Sequence, residues 1–217
     1  MEKNRKVQVI AVFALVIAIV GLSIGFAAFS SVLNIQTSAN VKPDSSTMNV
    51  DFSSAQDKVE VAEIIPTATP NSLVTTNAVI DNSVDPTISN LSATFTEPGQ
   101  SVTYKFYAYN AGKLNAYLKS IVFGNVAGQN TTKICTAGQG TTDALVQKAC
   151  EKISVKVKVG NEIETTTGKA SITGHTLAID NGELVTVTLE YEAGADRADG
   201  DFTVAFGDIT LNYSSVD

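Results

Sequence analysis

From Leu33 onward the chain alternates. Leu33, Ile35, Thr37, Ala39 and Val41 are separated by Asn34, Gln36, Ser38 and Asn40, and a period of two marks a strand with one buried face. The same period returns at Met48, Val50 and Phe52, at Leu91, Ala93 and Phe95, and at Val102, Tyr104, Phe106 and Ala108. It returns again at Ile153, Val155, Val157 and Val159, at Val185, Val187, Leu189 and Tyr191, and at Phe202, Val204 and Phe206. Weaker strands are expected at Val59, Val61 and Ile64, over Leu73 to Ile80, over Ala116 to Phe123, and over Ala170 to Ile179. Two prolines between Pro66 and Asn71 exclude a central strand there and predict a loop or an exposed edge.

Turn chemistry separates these runs. Pro98-Gly99 supplies the fixed φ and then the positive φ of a type II turn, Asn110-Ala111-Gly112 and Gly160-Asn161 turn the chain, and Asn181-Gly182 is a hairpin signal. The alternation slips near Lys119-Ser120 and after Gly207-Asp208, which predicts two bulges. Only one stretch changes period. Thr142 is placed to cap a helix over Asp143 to Lys152 that presents Leu145, Val146, Ala149 and Cys150 on one side. About ten or eleven strands with a single helix make an all-β chain, an antiparallel β-sandwich of jelly-roll-like form.

Upstream of Ser30 nothing alternates. Val7 to Phe29 is 23 residues without a formal charge, and as an N-terminal hydrophobic helix it would measure roughly 34 Å, against about 30 Å for a bilayer core. Lys3, Arg5 and Lys6 outweigh Glu2, so the N-terminus stays in the cytoplasm and the remainder is exported. Gly25, Ala27, Ala28, Ser30 and Ser31 offer small residues to a signal peptidase. Two readings stand: a cleaved signal peptide, or a membrane anchor retained through residues 7–29. Either way the boundary separates residues 1–30 from an exported domain of residues 31–217.

The chain of 217 residues carries −7. Glu2, Lys3, Arg5 and Lys6 sum to +2, which leaves −9 on the exported part. That sign disfavours nucleic acid, which is held by clustered Lys and Arg. The only two cysteines, Cys135 and Cys150, are expected to form a disulfide outside the cytoplasm, closing a loop of about 15 residues worth roughly 3 kcal/mol in the chain-entropy model. The helical excursion they staple reads either as a partner-binding knob or as a crossover that covers an open end of the sandwich.

Catalytic groups are sparse. His175 is the sole histidine and reads as a turn or strand-end residue; HExxH, GxSxG and P-loop motifs are missing. No enzyme activity, cofactor or structural metal is expected. Asp196, Asp199 and Asp201 are the weak calcium candidates, since hard cations want several oxygen ligands, although their spacing does not match an EF-hand loop.

Two segments carry a family resemblance. Ile24-Gly25-Phe26-Ala27-Ala28-Phe29-Ser30-Ser31 resembles the end of the long signals of the TasA/camelysin group of Gram-positive surface proteins, with Ser31 where that group usually has Asp. Pro98 to Leu118 is similar to a PG-x-SVTY-x-F-x-x-x-N-x-G pattern of bacterial surface β-sandwiches, TasA-like proteins among them. The resemblance implies a non-catalytic subunit of a surface or biofilm-matrix fibre that self-associates or binds another surface protein. It further implies that the first strand, Leu33 to Val41, leaves its own subunit and completes a neighbour's sheet. Camelysin-like relatives are described as metalloproteases, but no zinc-ligand set is present here. The alternative reading is a monomeric, membrane-anchored binding module for glycan, a surface protein or calcium.

Overall fold

Strong alternation becomes long strands. In the computed structural model, which describes residues 48–57, 63–83, 85–161 and 163–215, β8 (Ser101–Asn110) and β14 (Gly182–Tyr191) run antiparallel for nine paired positions. Their inward residues Val102, Tyr104, Phe106, Ala108, Val185, Val187, Leu189 and Tyr191 are fully buried. On the far side of β14 lies β11 (Ile153–Val159), followed by the three-residue β12 (Ile163–Thr165). The other edge of β8 is shared by β1 (Val50–Ser53) and β3 (Thr67–Thr69). These strands form the first layer.

The second layer is two shorter sheets laid end to end. One runs β13 (Thr176–Leu177), β9 (Ala116–Phe123), β16 (Ile209–Ser214), β6 (Thr87–Ser89), β5 (Ala78–Asp81) and β2 (Glu63–Ile64). The other runs β10 (Lys133–Ala137), β15 (Phe202–Phe206), β7 (Ser92–Phe95) and β4 (Val74–Thr75). The join falls at Asn90-Leu91 and Gly207-Asp208, where hydrogen bonds from Phe206 N–H to the Leu91 carbonyl (2.9 Å) and from Gly124 N–H to the Asp208 carbonyl (2.7 Å) cross it. Neighbours such as β8 and β14, β7 and β15, or β9 and β16 come from distant parts of the chain. That interleaving is what makes a sandwich rather than a row of hairpins.

Aromatic rings lock the layers together. Tyr191 of β14 meets Phe202 edge-on at 5.4 Å and Phe95 at 6.1 Å across the layers, while within the first layer Phe52 packs on Phe106 at 4.6 Å. Tyr104 reaches across from β8 and donates its hydroxyl proton toward the carbonyls of Thr76 (3.1 Å) and Ser92 (3.2 Å) in the opposite layer, so this buried ring carries its polar tip to a partner.

The antiparallel sandwich with one disulfide-stapled helix is therefore the architecture found. The bulge expected near Lys119-Ser120 is present: Asn212 pairs with Ser120 and Tyr213 with Leu118, leaving Lys119 as the extra residue. Gly99 has φ +86, as the type II turn requires. Other expectations need correction. The Asn181-Gly182 signal makes no hairpin: the strands on either side, β13 and β14, belong to opposite layers, and the positive φ sits at Asp180. Leu73 to Ile80 splits into β4 and β5, and Ala170 to Ile179 condenses to β13 plus one bridge, Lys169 with Ile121. Thr142 occupies the N-cap of α1 (Asp143–Glu151) but makes no side-chain cap bond; its carbonyl accepts the Val146 N–H instead. Strands β6, β10 and β12 arise where no strand was expected. The hydrophobic segment 7–29, the boundary at residue 30, the strand Leu33 to Val41, and Val59 and Val61 lie outside the described residues.

Candidate functional site

A two-layer sandwich has two open sides, where the outer strands of each layer expose backbone groups. On the first side β1 is the outermost strand, and its even-numbered residues turn their backbone groups outward. Phe52 N–H donates to Oδ1 of Asn82 (2.7 Å), and Nδ2 of Asn82 donates to the Phe52 carbonyl (3.0 Å). One side-chain amide thus reproduces the paired bonds of a neighbouring strand. Asn82 follows β5, so the cap also ties the two layers.

On the second side the geometry differs. Even-numbered residues of β11 pair toward β14, as the flanking bonds from Gly160 N–H to the Leu184 carbonyl and from Glu192 N–H to the Lys152 carbonyl fix. Ile153, Val155, Val157 and Val159 therefore turn their backbone groups outward. β12 covers only Val157 to Val159, because the chain leaves the sheet in a tight turn in which Thr167 N–H donates to the Thr165 hydroxyl. It then crosses to the other layer, where Lys169 and Ile121 exchange backbone bonds of 2.8 and 2.9 Å. Among the described residues no hydrogen bond reaches Val155 from this side.

The resulting gap is a groove of about 670 Å³. Ile121 and Phe123 of β9 and Ile153 and Val155 of β11 line it, so it runs between the edges of both layers. Lys133 and Lys169 stand at its margin. One wall continues into α1, which bridges the layers from β10 to β11 and buries Val146, Ala149 and Cys150. The disulfide between Cys135 and Cys150, with Cα atoms 5.9 Å apart, pins that helix to β10. So the excursion is a stapled crossover over an open side, and the bond itself is chemistry of an oxidising compartment.

Lys133 is the half-buried cation of the groove. Its half-buried ammonium donates to the carbonyls of Cys150 (2.6 Å) and Ile153 (2.5 Å). Burial pushes its pKa below the usual lysine value, and the nearby Glu151 carboxylate partly offsets this. The Cys150 carbonyl belongs to the last turn of α1, where a cation is favoured by the helix dipole.

No family model, curated protein or solved structure matches the chain. The remaining candidate residues are accounted for by their own surroundings. Asp201 accepts a bond from Gln139 N–H (2.7 Å) on its carboxylate, the Asp196 carbonyl accepts the Tyr191 hydroxyl (2.6 Å), and Asp199 sits at φ +59 in the loop. The three aspartates are thus spread along a loop braced against Gly138 to Thr141, and the described residues hold no group of three or more His, Cys, Asp or Glu placed to bind a metal. His175 stands at a strand end, immediately before β13, and it is buried, with Nε2 2.7 Å from the Glu183 carboxylate, joining the two layers. Close by, Tyr213 has its hydroxyl raised in pKa by burial and by the charge of Glu183, and the described residues offer that hydroxyl no partner.

Alternation could not reveal the groove. Pairing between strands is a long-range property, and the signal for it was local only in β12, where Thr165, Thr166 and Thr167 break the sheet after three residues.

Proposed function

We propose that this chain is a non-catalytic extracellular structural protein, a subunit of a surface or biofilm-matrix fibre that assembles by strand exchange after export through its 7–29 segment. The observation that carries the reading is the half-paired edge of β11 beside an apolar groove. An unpaired edge is a template for an added strand, with backbone bonds supplying affinity and alternate side chains the register. The segment from Leu33 to Val41 of a second copy fits that role: nine residues without a charge or a proline, about 30 Å long when extended. Its apolar positions would enter the groove while its Asn, Gln and Ser residues face outward. The oxidised Cys135–Cys150 pair and the resemblance of the signal region to TasA-like proteins support the same setting.

The test compares the chain beginning at Ser31 with one lacking residues 1–41, each examined by electron microscopy after concentration. The reading predicts fibres from the first and monomers from the second. Equal polymerisation of the two would overturn strand donation.

A further inference from the structure

We propose that Lys133 is the gatekeeper of the β11 edge: its ammonium occupies the Ile153 carbonyl that an incoming strand must use. The inference rests on the strand-exchange reading and concerns its regulation. A strand added beside β11 would pair first with the outward groups of Ile153 and Val155. Val155 is open, but Ile153 is already engaged, and by a cation rather than by a neutral donor. Charge-assisted bonds are shorter and stronger than neutral ones, so an arriving backbone N–H must displace the better donor.

The gate is held in position from two sides. Lys133 lies two residues before Cys135 on β10, and its other bond goes to the carbonyl of Cys150, the cysteine to which Cys135 is joined. The disulfide therefore fixes the distance between the strand that carries the lysine and the helix end that receives it. Lysine on an exposed edge is a familiar guard against unwanted strand pairing. Here the guard acts by occupying an acceptor rather than by projecting into solvent.

The experiment follows fibre growth of the exported chain, beginning at Ser31, by light scattering. Lys133→Met keeps the stem and removes the charge; its lag should shorten about tenfold, the rate equivalent of about 1.4 kcal/mol. Lys133→Arg restores a cation with several donors and should return the lag toward that of the parent chain. Lys133→Gln, polar but neutral, should also shorten the lag, and it decides the matter should the methionine variant lose its cooperative melt. Fibres from all variants with unchanged lags would overturn the gate and leave strand exchange standing. Absence of fibres from the parent and every variant would overturn both.

Discussion

On one side of the sandwich Phe52 gives both of its backbone groups to the amide of Asn82; on the other, Val155 gives its own to nothing among the described residues. Phe52 lies on the strand that ends the first layer and Val155 on the part of β11 that β12 leaves uncovered, and both have inward side chains that are buried. The difference is one residue of sequence context. After β5 the chain places an asparagine beside β1, whereas after β12 it turns at Thr165 to Thr167 and leaves β11 uncovered. An edge, in other words, is closed or opened by what a loop does next, not by the strand itself. The consequence is asymmetry: at Phe52 the outward backbone groups are already taken, whereas at Val155 they are not, and an unpaired edge is where strand pairing begins.

Breaking the closed side altogether should have the largest effect. Phe52→Ala removes a buried ring that packs on Phe106 at 4.6 Å and should destabilise the domain by about 3–5 kcal/mol, measured by urea unfolding. Asn82→Ala is subtler. It leaves the Phe52 N–H and carbonyl without their partner and should lower stability by about 1–3 kcal/mol. It also converts the closed side into a second open one, so self-association should rise and should persist when residues 1–41 are removed.

The smallest effect separates packing from edge chemistry. Tyr213→Phe removes a buried hydroxyl that no described residue satisfies, and should raise stability by about 1 kcal/mol at neutral pH. The same variant changes the alkaline limb. With its pKa raised in the folded state, Tyr213 keeps its proton where the unfolded chain releases one, near pH 10. Its contribution is therefore complete below about pH 10 and declines as pH rises beyond it. Tyr104 and Tyr191 are shifted in the same direction, so the phenylalanine variant should lose one part of that decline and keep the rest. A scan of melting temperature between neutral pH and pH 11 reads both effects.

Much of this architecture was legible in the chain. Val102 to Ala108 and Val185 to Tyr191 announce themselves because one face meets core and the other water, and that contrast is written at every second residue. The disulfide was legible because only two cysteines exist. The bounds of the shortest strands were not: Val74–Thr75 and Thr176–Leu177 lie inside longer expected strands and Ile163–Thr165 outside any, because two or three residues are too few for a period to register. Turn signals mark where the chain reverses but not which strands the reversal joins. Asn181-Gly182 reverses the chain, but around the corner of the sandwich rather than back along one sheet, because the layer that each strand joins is decided by contacts such as β9 with β13 and β8 with β14. The groove belongs to the same class of fact. Ile121, Lys133 and Val155 are scattered over three runs of sequence and meet only through the pairing of distant strands.

The most direct measurement is amide hydrogen exchange at Phe52 and Val155 in the same sample, before and after fibre growth. In the free chain Phe52 should be protected by the Asn82 side-chain oxygen Oδ1, while Val155 should exchange far faster than its covered neighbour Val157. On assembly Val155 should become protected and Phe52 should not change. Slow exchange at Val155 in the free chain, or exchange there that stays fast within the fibre, would contradict the claim that the β11 edge receives the neighbouring strand.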